Sequence, residues 1–288
     1  MRITSLMFAA TLVLSSSSAA DSASGTVTSQ KLGTISPKFA AAYLVRDQSN
    51  ARVTQTEILL ADVPIDAAAI QAAFDPHMTA INLDALNDRN YVLLWVLADG
   101  RVTMNATYSK TMTQFLNGTG DGLKIAWTTN SAARLDGRLT SGGALKTMDG
   151  STYTVDLKFA VDLPKPPAGE ALPAGGGEPG KAFAAFLAAA QKKNWPAIKA
   201  GSSPDALKMF DKSYNSPAEN AASAADLLTA WISTSKMKVT GGQLRGTTAV
   251  LDVEGEMFPG QLSLSRVQMV KSGATWQFDR AARAGMIR

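Results

Sequence analysis

Hydrophobic and polar residues alternate most regularly between residues 152 and 163. The apolar members of this stretch occupy every second position: Tyr153, Val155, Leu157, Phe159, Val161 and Leu163. Since successive side chains of a strand point to opposite faces, the pattern predicts a strand with one buried face. Shorter patterns of the same kind predict further strands over 40–46, 54–60 and 123–128.

Two local signals complete the prediction for this part of the chain. The Asp99-Gly100 pair suits a tight turn with positive φ, so it predicts a hairpin with arms over 91–98 and 102–108. Asp66 is placed to cap one short helix, and Pro76 is placed to stop it. Repeated short strands with polar turns predict an antiparallel sandwich or barrel.

Beyond residue 180 the apolar positions take the spacing of a helix. One helix face is formed by residues at i, i+3, i+4 and i+7, namely Phe183, Phe186, Leu187 and Ala190. Further helical segments are predicted over 195–199, 204–214 and 224–232. Four strands follow them, over 237–244, 248–256, 261–271 and 274–280. In the first of these, Gly241-Gly242 is expected to mark a β-bulge.

A segment rich in proline and glycine separates the two patterns. Residues 164–180 contain five prolines and five glycines, which disfavour both helix and strand. We therefore predict two dissimilar domains joined by this linker. The first is a mainly-β domain over 21–163, and the second is an α+β domain over 181–288.

The first twenty residues have the three parts of a secretory signal peptide. Arg2 supplies a positive charge, residues 6–14 are apolar, and small residues lead to Ala20, after which cleavage is predicted. The sequence contains no cysteine, which excludes disulfides, thiolate metal sites and a lipid-modified N-terminal cysteine. These features predict a periplasmic or secreted bacterial protein that is not a lipoprotein.

Three stretches of the C-terminal region resemble the nuclear transport factor 2-like superfamily, whose fold is an α+β cone. They are the helical GKAFAAFLAAAQKKNWPAIKA, the strand pair KVTGGQLRGTTAVLDVEGE and the closing SGATWQFD. The resemblance covers little more than a third of the chain and is closest to small exported bacterial domains. It implies helices packed on a curved antiparallel sheet. It also implies one of two roles: an isomerase- or dehydratase-like enzyme with an Asp or His base in the cone, or a protein that binds an apolar ligand or forms a homodimer through its sheet.

Charge is distributed unevenly along a chain whose net charge is +4. Residues 21–163 carry 12 basic and 14 acidic side chains, whereas residues 178–288 carry 14 and 9. The basic second half suits an anionic partner, with Arg280, Arg283 and Arg288 near its end, although solvated surface charge is the simpler interpretation. Because no dense basic run is interleaved with aromatic residues, nucleic-acid binding is not predicted. After the first twenty residues, no segment reaches the ~20 apolar residues of a membrane span.

The sequence offers no assembled catalytic centre. His77 is the only histidine, so neither a multi-histidine metal site nor a catalytic triad is predicted, and a surface or loop position is expected. Asp252, Glu254 and Glu256 alternate with apolar residues in one strand and are expected on a solvated sheet face. No metal or other cofactor is predicted.

Candidate bases for a cone are nevertheless present. They are Asp211, Asp226 and Asp279, with Tyr214 as a hydroxyl donor. General acid–base catalysis needs a carboxyl group in a buried environment together with a matching acid, and no pattern in the sequence indicates either. No catalytic residue is therefore predicted.

Aromatic residues of the C-terminal region supply the candidate binding site. Phe210, Tyr214, Trp231 and Trp276 are predicted to line a pocket for a small apolar ligand, although most aromatic residues at such spacings belong to a core. The leading hypothesis is an exported non-catalytic protein that binds a partner or a small apolar ligand in the bacterial envelope. The alternatives are an isomerase- or dehydratase-like enzyme working in the cone and a structural subunit of an envelope assembly.

Overall fold

The computed structural model describes residues 21–111, 113–118, 122–147, 150–213 and 215–288. The predicted signal peptide, residues 1–20, and the candidate residue Tyr214 lie outside the described residues. The described chain is mostly β-structure, arranged in three antiparallel sheets, together with six α-helices. None of these helices has the length and apolar character needed to cross a membrane.

Residues 22–162 form two sheets that pack face to face, and this part is called the sandwich below. Its strands are β1 (Ser22–Ser29), β2 (Gly33–Ile35), β3 (Phe39–Asp47), β4 (Asn50–Ala61), β5 (Tyr91–Val96), β6 (Val102–Tyr108), β7 (Thr113–Gly118), β8 (Leu123–Asn130), β9 (Arg134–Ser141), β10 (Leu145–Lys146) and β11 (Thr152–Asp162). The first sheet has the order β2-β1-β11-β9-β8, with β10 also paired to β11, and the second has the order β3-β4-β5-β6-β7.

The interior of the sandwich follows the predicted alternation. Every second residue of β11 from Tyr153 to Val161 is buried. These side chains share one apolar cluster with residues of the second sheet, among them Leu94 and Met104. The predicted hairpin is confirmed, because β5 and β6 are adjacent antiparallel strands joined at Asp99-Gly100. Both sheets end in edge strands, so the sandwich is the adopted form of the two that were predicted.

Two central strands of the first sheet, β1 and β9, have no clear signal in the sequence. The segment SASGTVTS of β1 contains only two apolar residues that become buried, Ala23 and Val27. Both strands pair with β11, one on each side of it. Their burial is thus supplied by neighbours that are distant in the chain, which a local pattern does not record.

Two short helices, α1 (Ala67–Ala72) and α2 (Pro76–Ile81), cover the outer face of the second sheet. They share a separate apolar cluster with that face, which includes Ile70, Ala80 and Leu59. Gln71 of α1 also accepts a hydrogen bond at 2.7 Å from the backbone amide of Leu44, in the edge strand β3. The helices are therefore fixed to the sheet by apolar packing and by a side-chain hydrogen bond to its free edge.

Each of these helices has an aspartate at its N-cap. The Asp66 carboxylate accepts a hydrogen bond from the Ala69 amide at 2.9 Å, as predicted. Asp75 caps α2 in the same way. Pro76 therefore starts a second helix in addition to following the first, because a proline in the first turn removes an amide that would have no helical partner.

Residues 170–286 form the helix–sheet unit. Its elements are α3 (Gly177–Gln191), α4 (Trp195–Ala200), α5 (Pro204–Phe210), α6 (Pro217–Trp231), β12 (Glu170–Leu172), β13 (Ser235–Arg245), β14 (Thr248–Phe258), β15 (Gln261–Ser272) and β16 (Thr275–Met286). The strands form one antiparallel sheet in chain order, and the helices pack on one of its faces through an apolar cluster. The predicted order of helices followed by strands is confirmed, and so is the bulge in β13 next to Gly241.

Part of the predicted linker is ordered secondary structure. Strand β12 lies inside residues 164–180 and pairs with β13 at the edge of the sheet. An edge strand needs hydrogen bonds on one side only, which is why it tolerates the nearby Pro167 and Pro173. Helix α3 begins at Gly177, after Gly175 and Gly176 have taken positive φ angles of 83° and 72°.

Candidate functional site

The sandwich and the helix–sheet unit meet where the β3–β4 hairpin contacts the last strand, β16. The Met286 amide donates a hydrogen bond to the Gln48 carbonyl at 3.0 Å. Gly285 beside it is buried and has a φ of 146°, and a β-carbon there would lie 2.7–2.9 Å from backbone atoms of Asp47 and Gln48. This close approach of two backbones requires a glycine.

Beside this contact the two units border a cleft of about 740 Å³. Its sandwich wall includes the end of β3 and the α1–α2 connection, and its other wall includes residues of β13 to β16. Five arginines line the cleft, namely Arg46, Arg245, Arg266, Arg280 and Arg283. The acidic side chains of the lining are Asp75 and Asp252, so that basic groups outnumber acidic ones.

Arg266 extends from the middle of β15 to the sandwich. Its Nη1 donates a hydrogen bond to the Phe74 carbonyl at 2.8 Å, and its guanidinium carbon lies 5.5 Å from the centroid of the Phe74 ring. Burial lowers the pKa of the Arg266 guanidinium, Arg46 and Arg245 act in the same direction, and the charge of Asp252 opposes them. Because a guanidinium keeps its proton in proteins, Arg266 is an enclosed cation with other cations nearby.

Arg245 and Arg46 are only partly satisfied by the protein. Arg245 Nη2 donates a hydrogen bond to Gln243 Oε1 at 2.7 Å, whereas its Nε is buried without a hydrogen-bond partner among the described residues. Arg46 Nη2 lies 3.9 Å from Asp252 Oδ2, which is longer than a hydrogen bond. The cleft therefore holds guanidinium groups that can still accept an anionic partner.

Arg280 and Arg283 add exposed positive charge along β16. Arg280 Nε donates a hydrogen bond to Asp279 Oδ2 at 2.7 Å, and Arg283 donates one to a backbone carbonyl of α6 at 3.0 Å. Asp279 is 4% exposed and also accepts hydrogen bonds from Ser203 Oγ at 2.6 Å and Gln268 Nε2 at 2.8 Å. The carboxylate that holds Arg280 is thus fixed on three sides.

The acidic residues of β14 do not face open solvent, and that expectation is wrong. Asp252 and Glu254 lie opposite the helix-covered face, as the alternation predicts, but the sandwich contacts this second face. Glu254 is 9% exposed, with Arg52 Nη2 at 3.3 Å and Lys238 Nζ at 3.1 Å from its carboxylate oxygens. Glu256, nearer the strand end, is paired with a lysine of β13. The alternation assigned the face correctly without indicating what covers it.

His77, expected at a surface or loop position, lies in a helix and has a side-chain partner. His77 lies in α2 and lines the cleft, and its side chain is 23% exposed. Its Nδ1 is 2.9 Å from Glu57 Oε2. Glu57 is 2% exposed, and its Oε1 accepts a hydrogen bond from Trp95 Nε1 at 2.7 Å. His77 and Glu57 therefore form a carboxylate–imidazole pair at the wall of the cleft.

The surroundings of this pair favour a charged imidazole. The hydrogen bond with Glu57 raises the pKa of His77 above its ordinary value of 6.5, the charges of Glu57 and Asp75 add to this, and partial burial opposes it. Tyr43 pairs with Glu57 across β3 and β4, and its hydroxyl is buried close to that carboxylate. Burial raises the pKa of Tyr43 well above its usual value, and the Glu57 charge adds to this, so the phenol stays neutral.

The described aromatic residues predicted to form a ligand site belong to, or pack against, one apolar core. Phe210 is fully buried, with its ring centroid 5.9 and 6.4 Å from those of two neighbouring phenylalanines. Trp231 lies 6.4 Å from Phe210 and also lines the cleft. Trp276 is half-buried in β16, with Lys271 Nζ 5.9 Å from its ring. Of the predicted residues that are described, Trp231 alone belongs to the cleft lining, and Tyr214 lies outside the described residues.

The carboxylates considered as bases for a cone have different environments. Asp279 is fully engaged, as described above. Asp211 accepts hydrogen bonds from Lys199 Nζ and Asn220 Nδ2, both at 3.1 Å, and Asp226 is exposed on α6. Across the described ranges, no group of three or more His, Asp or Glu side chains is placed to hold a metal ion.

Glu57 and Arg266, like Arg46 and Arg245, are residues of the cleft region that the sequence analysis missed. Glu57 and Arg266 had the same weak signal, a charged residue inside a stretch that otherwise forms a buried strand. Glu57 precedes Ile58 and two leucines, and Arg266 precedes Val267. Charged residues are seldom buried without a partner, so an interruption of this kind marks a position that needs an explanation.

The chemistry of the cleft follows from its charges and its size. Guanidinium groups form paired hydrogen bonds with carboxylate and phosphate oxygens, and a cleft of this volume suits a small molecule. Comparison of the chain with protein-family models, curated proteins and solved structures found no match.

Proposed function

We propose that the protein binds a small anionic molecule, through a carboxylate or phosphate group, in the cleft between the sandwich and the helix–sheet unit. The observation that carries this proposal is the cluster of Arg46, Arg245 and Arg266. The carboxylates beside these arginines do not neutralise them all. A bound oxyanion supplies negative charge and hydrogen-bond acceptors for these guanidinium groups.

The arginine cluster costs stability when the cleft holds no anion. Taking a guanidinium out of water costs on the order of several kcal/mol, whereas a hydrogen bond to a charged group returns only about 1.5–3 kcal/mol. Arg266 has one such bond, to the Phe74 carbonyl. Buried charged groups whose desolvation is not offset by partners are concentrated at binding and catalytic sites. This supports a ligand for the cleft.

Apolar side chains beside the arginines favour an organic ligand. Phe74, Met209, Trp231 and Val250 are part of the same lining. Pockets for small organic molecules have volumes of roughly 300–1,000 Å³, and the cleft lies within this range at about 740 Å³. The ligand class is therefore a small organic acid or phosphate ester with an apolar portion.

In this proposal the mature protein acts in the bacterial envelope or outside the cell. The supporting observation is in the sequence, where residues 1–20 have the parts of a signal peptide and cysteine is absent. Two domains, the second of them an α+β cone over 181–288, belong to the same proposal. The helix–sheet unit supports the cone, because its helices cover one face of a five-stranded antiparallel sheet.

An enzyme acting on the same class of molecule is the second candidate. The observation that favours it is the His77–Glu57 pair in the wall of the cleft, since a histidine oriented through Nδ1 by a carboxylate suits general acid–base chemistry. Turnover of a bound ester that is lost in His77→Gln, with binding retained, would favour this candidate. The cone-based isomerase and the structural subunit have no comparable supporting observation among the described residues.

Isothermal titration of the purified mature protein tests the proposed binding. Phenyl phosphate and benzoate carry an anionic group on a small apolar ring, and benzyl alcohol is their neutral counterpart. We expect one or both of the anions to bind and benzyl alcohol not to bind. Arg266→Gln and Arg245→Gln should each weaken binding by roughly tenfold or more, which corresponds to the loss of about 1.4 kcal/mol or more.

The matched control is Arg138→Gln. Arg138 is an exposed arginine of the sandwich that already has a carboxylate partner, Asp156, at 2.7 Å. This substitution changes the net charge as the other two do, and it should leave the affinity unchanged. Absence of binding to both anions contradicts the proposal, and so does equal weakening by Arg138→Gln and Arg266→Gln.

A further inference from the structure

We infer that His77 is a ligand-binding residue of this cleft, that it donates a hydrogen bond from Nε2 to the bound oxyanion, and that binding is coupled to the uptake of a proton. This inference rests on the proposed function and deepens it. It adds a neighbouring imidazolium to the arginines as a recognition group, and it makes the affinity depend on pH.

The orientation of the His77 ring is set by the carboxylate of Glu57. Its Nδ1 is 2.9 Å from the Glu57 carboxylate, and a carboxylate can only accept, so Nδ1 carries a proton. Glu57 is in turn fixed within β4 and by the hydrogen bond from Trp95 Nε1. A ring held in this way through one nitrogen keeps the other, Nε2, for a different partner.

That other nitrogen is available to a ligand. His77 Nε2 forms no hydrogen bond with the described residues, and the ring belongs to the lining of the cleft. Arg266 approaches the same segment of the sandwich, because it hydrogen-bonds to Phe74, three residues before His77 in the chain. An anion that enters the cleft to meet the arginines therefore also meets the wall that carries Nε2.

The charged and titratable groups around His77 come from several elements. Glu57 of β4 and Asp75 at the start of α2 favour the imidazolium, and Tyr43 of β3 stays neutral. A bound oxyanion adds to the effect of these carboxylates, since its negative charge attracts the imidazolium as well as the arginines.

The coupling between protonation of His77 and anion binding determines how the affinity changes with pH. If the anion favours the protonated ring, protonation strengthens anion binding by the same factor. The affinity is therefore greatest at low pH and declines as the pH rises through the pKa of His77, which lies above 6.5. Between the pKa of the free protein and the higher pKa of the complex, binding of the anion is accompanied by uptake of a proton from the solvent.

The test uses the fact that His77 is the only histidine of the chain. Its imidazole resonances are followed by NMR during a pH titration of the untagged mature protein, with and without sulfate. Sulfate is the probe because it keeps its charge throughout the titration, so that any change in protonation belongs to the protein. Chloride at equal ionic strength is the reference, since it reproduces the screening by salt.

We expect sulfate to raise the pKa of His77 by about one unit, and the affinity for sulfate to fall about tenfold on going from the imidazolium to the neutral ring. In Arg266→Gln the sulfate-dependent shift should be lost. In His77→Gln, sulfate should still bind, with a pH-independent affinity close to that of the wild-type protein at high pH. Glu57→Gln should lower the pKa of His77 in the absence of sulfate.

The outcomes separate this inference from the proposed function. If sulfate binds and Arg266→Gln weakens it, but the pKa of His77 does not change, the inference about His77 is wrong and the arginine site stands. If phenyl phosphate, benzoate and sulfate all fail to bind, the proposed function itself is contradicted. A sulfate-dependent shift that persists undiminished in Arg266→Gln shows that Arg266 does not hold the anion, and it contradicts both.

Discussion

The two faces of the sheet in the helix–sheet unit differ in polarity: one is apolar and the other carries charged side chains. On the helix-covered face, apolar side chains close a filled core in which Phe186 and Phe278 stack at 4.5 Å with an angle of 4° between their planes. On the other face, the same strands present Asp252, Glu254 and Arg266, and these meet the sandwich across a cleft. One face is complete within its own unit, whereas the other depends on a second unit and leaves positive charge unmatched.

This difference shows where a ligand has something to contribute. A filled apolar core has no unsatisfied group and no space, so a ligand there must displace packed rings. A charged cleft between two units has both space and unmet interactions, and small molecules preferentially bind at such junctions. The comparison therefore favours the arginine-lined face over the interior of the helix–sheet unit as the binding site.

The largest expected effect comes from breaking the filled face. Phe278→Ala removes a fully buried ring from the stack and should lower the free energy of unfolding by about 3–5 kcal/mol. Arg266→Met on the opposite face should change it by less than about 1 kcal/mol, or raise it, because an unpaired enclosed charge is replaced by an apolar chain of similar length. Urea unfolding monitored by circular dichroism measures both. A larger loss from Arg266→Met than from Phe278→Ala would reverse the comparison.

The next effect concerns the contact between the β3–β4 hairpin of the sandwich and β16 of the helix–sheet unit. Gly285→Ala should force the β3–β4 hairpin away from β16, because the new β-carbon would lie 2.7 Å from the Gln48 carbonyl oxygen. We expect a cost of about 1–3 kcal/mol and a larger radius of gyration in small-angle X-ray scattering. Gly273→Ala is the matched control, since Gly273 also has a positive φ, 59°, but no atom lies within 4 Å of its β-carbon position. Equal expansion of both variants would show that the close contact is unimportant.

A smaller effect is expected from the His77–Glu57 pair. The pKa of His77 is raised in the folded protein, so the stability that this pair contributes is fully present below the unfolded pKa, near 6.5, and is lost as the pH rises through the folded value. The difference in unfolding free energy between the wild-type protein and His77→Gln should therefore shrink as the pH is raised from mildly acidic to alkaline. Parallel stability curves, or a difference that grows with pH, would contradict the assignment.

The smallest effect is expected on the outer surface of the sandwich. Arg138 and Asp156 form two hydrogen bonds, at 2.8 and 2.7 Å, but both side chains are about half exposed. Solvent and salt screen such a pair, so Arg138→Gln should leave the unfolding midpoint unchanged within the error of the measurement. A marked loss of stability here would mean that exposed charge pairs matter as much as the charged face of the cleft.

Most of the secondary structure was predictable from local patterns. Strand β11 followed from strict alternation, the β5–β6 hairpin from Asp99-Gly100, and α3 from the spacing of its apolar residues. The strands β1 and β9 were not predictable, because their burial comes from pairing with β11 and not from their own composition. Local periodicity reports which residues share a face, and it carries no information about distant partners.

The same limit applies to the candidate site. The alternation in β14 correctly placed Asp252 and Glu254 on one face, but the sandwich that contacts this face was not visible in the sequence. His77 was singled out, whereas its partner Glu57 lies twenty residues away on another element. A site assembled between two units from single charged residues has no motif, and only the three-dimensional arrangement brings its members together.

A crystal structure of the protein with p-bromophenyl phosphate tests the central claim most directly. The anomalous signal of bromine locates the ring, and the electron density locates the phosphate. We expect the phosphate within hydrogen-bond distance of the Arg245 and Arg266 guanidinium groups, with the ring directed towards the apolar residues of the cleft, such as Trp231. A ligand found among Phe186, Phe210 and Phe278, or only on the outer surface of the protein, would contradict the account.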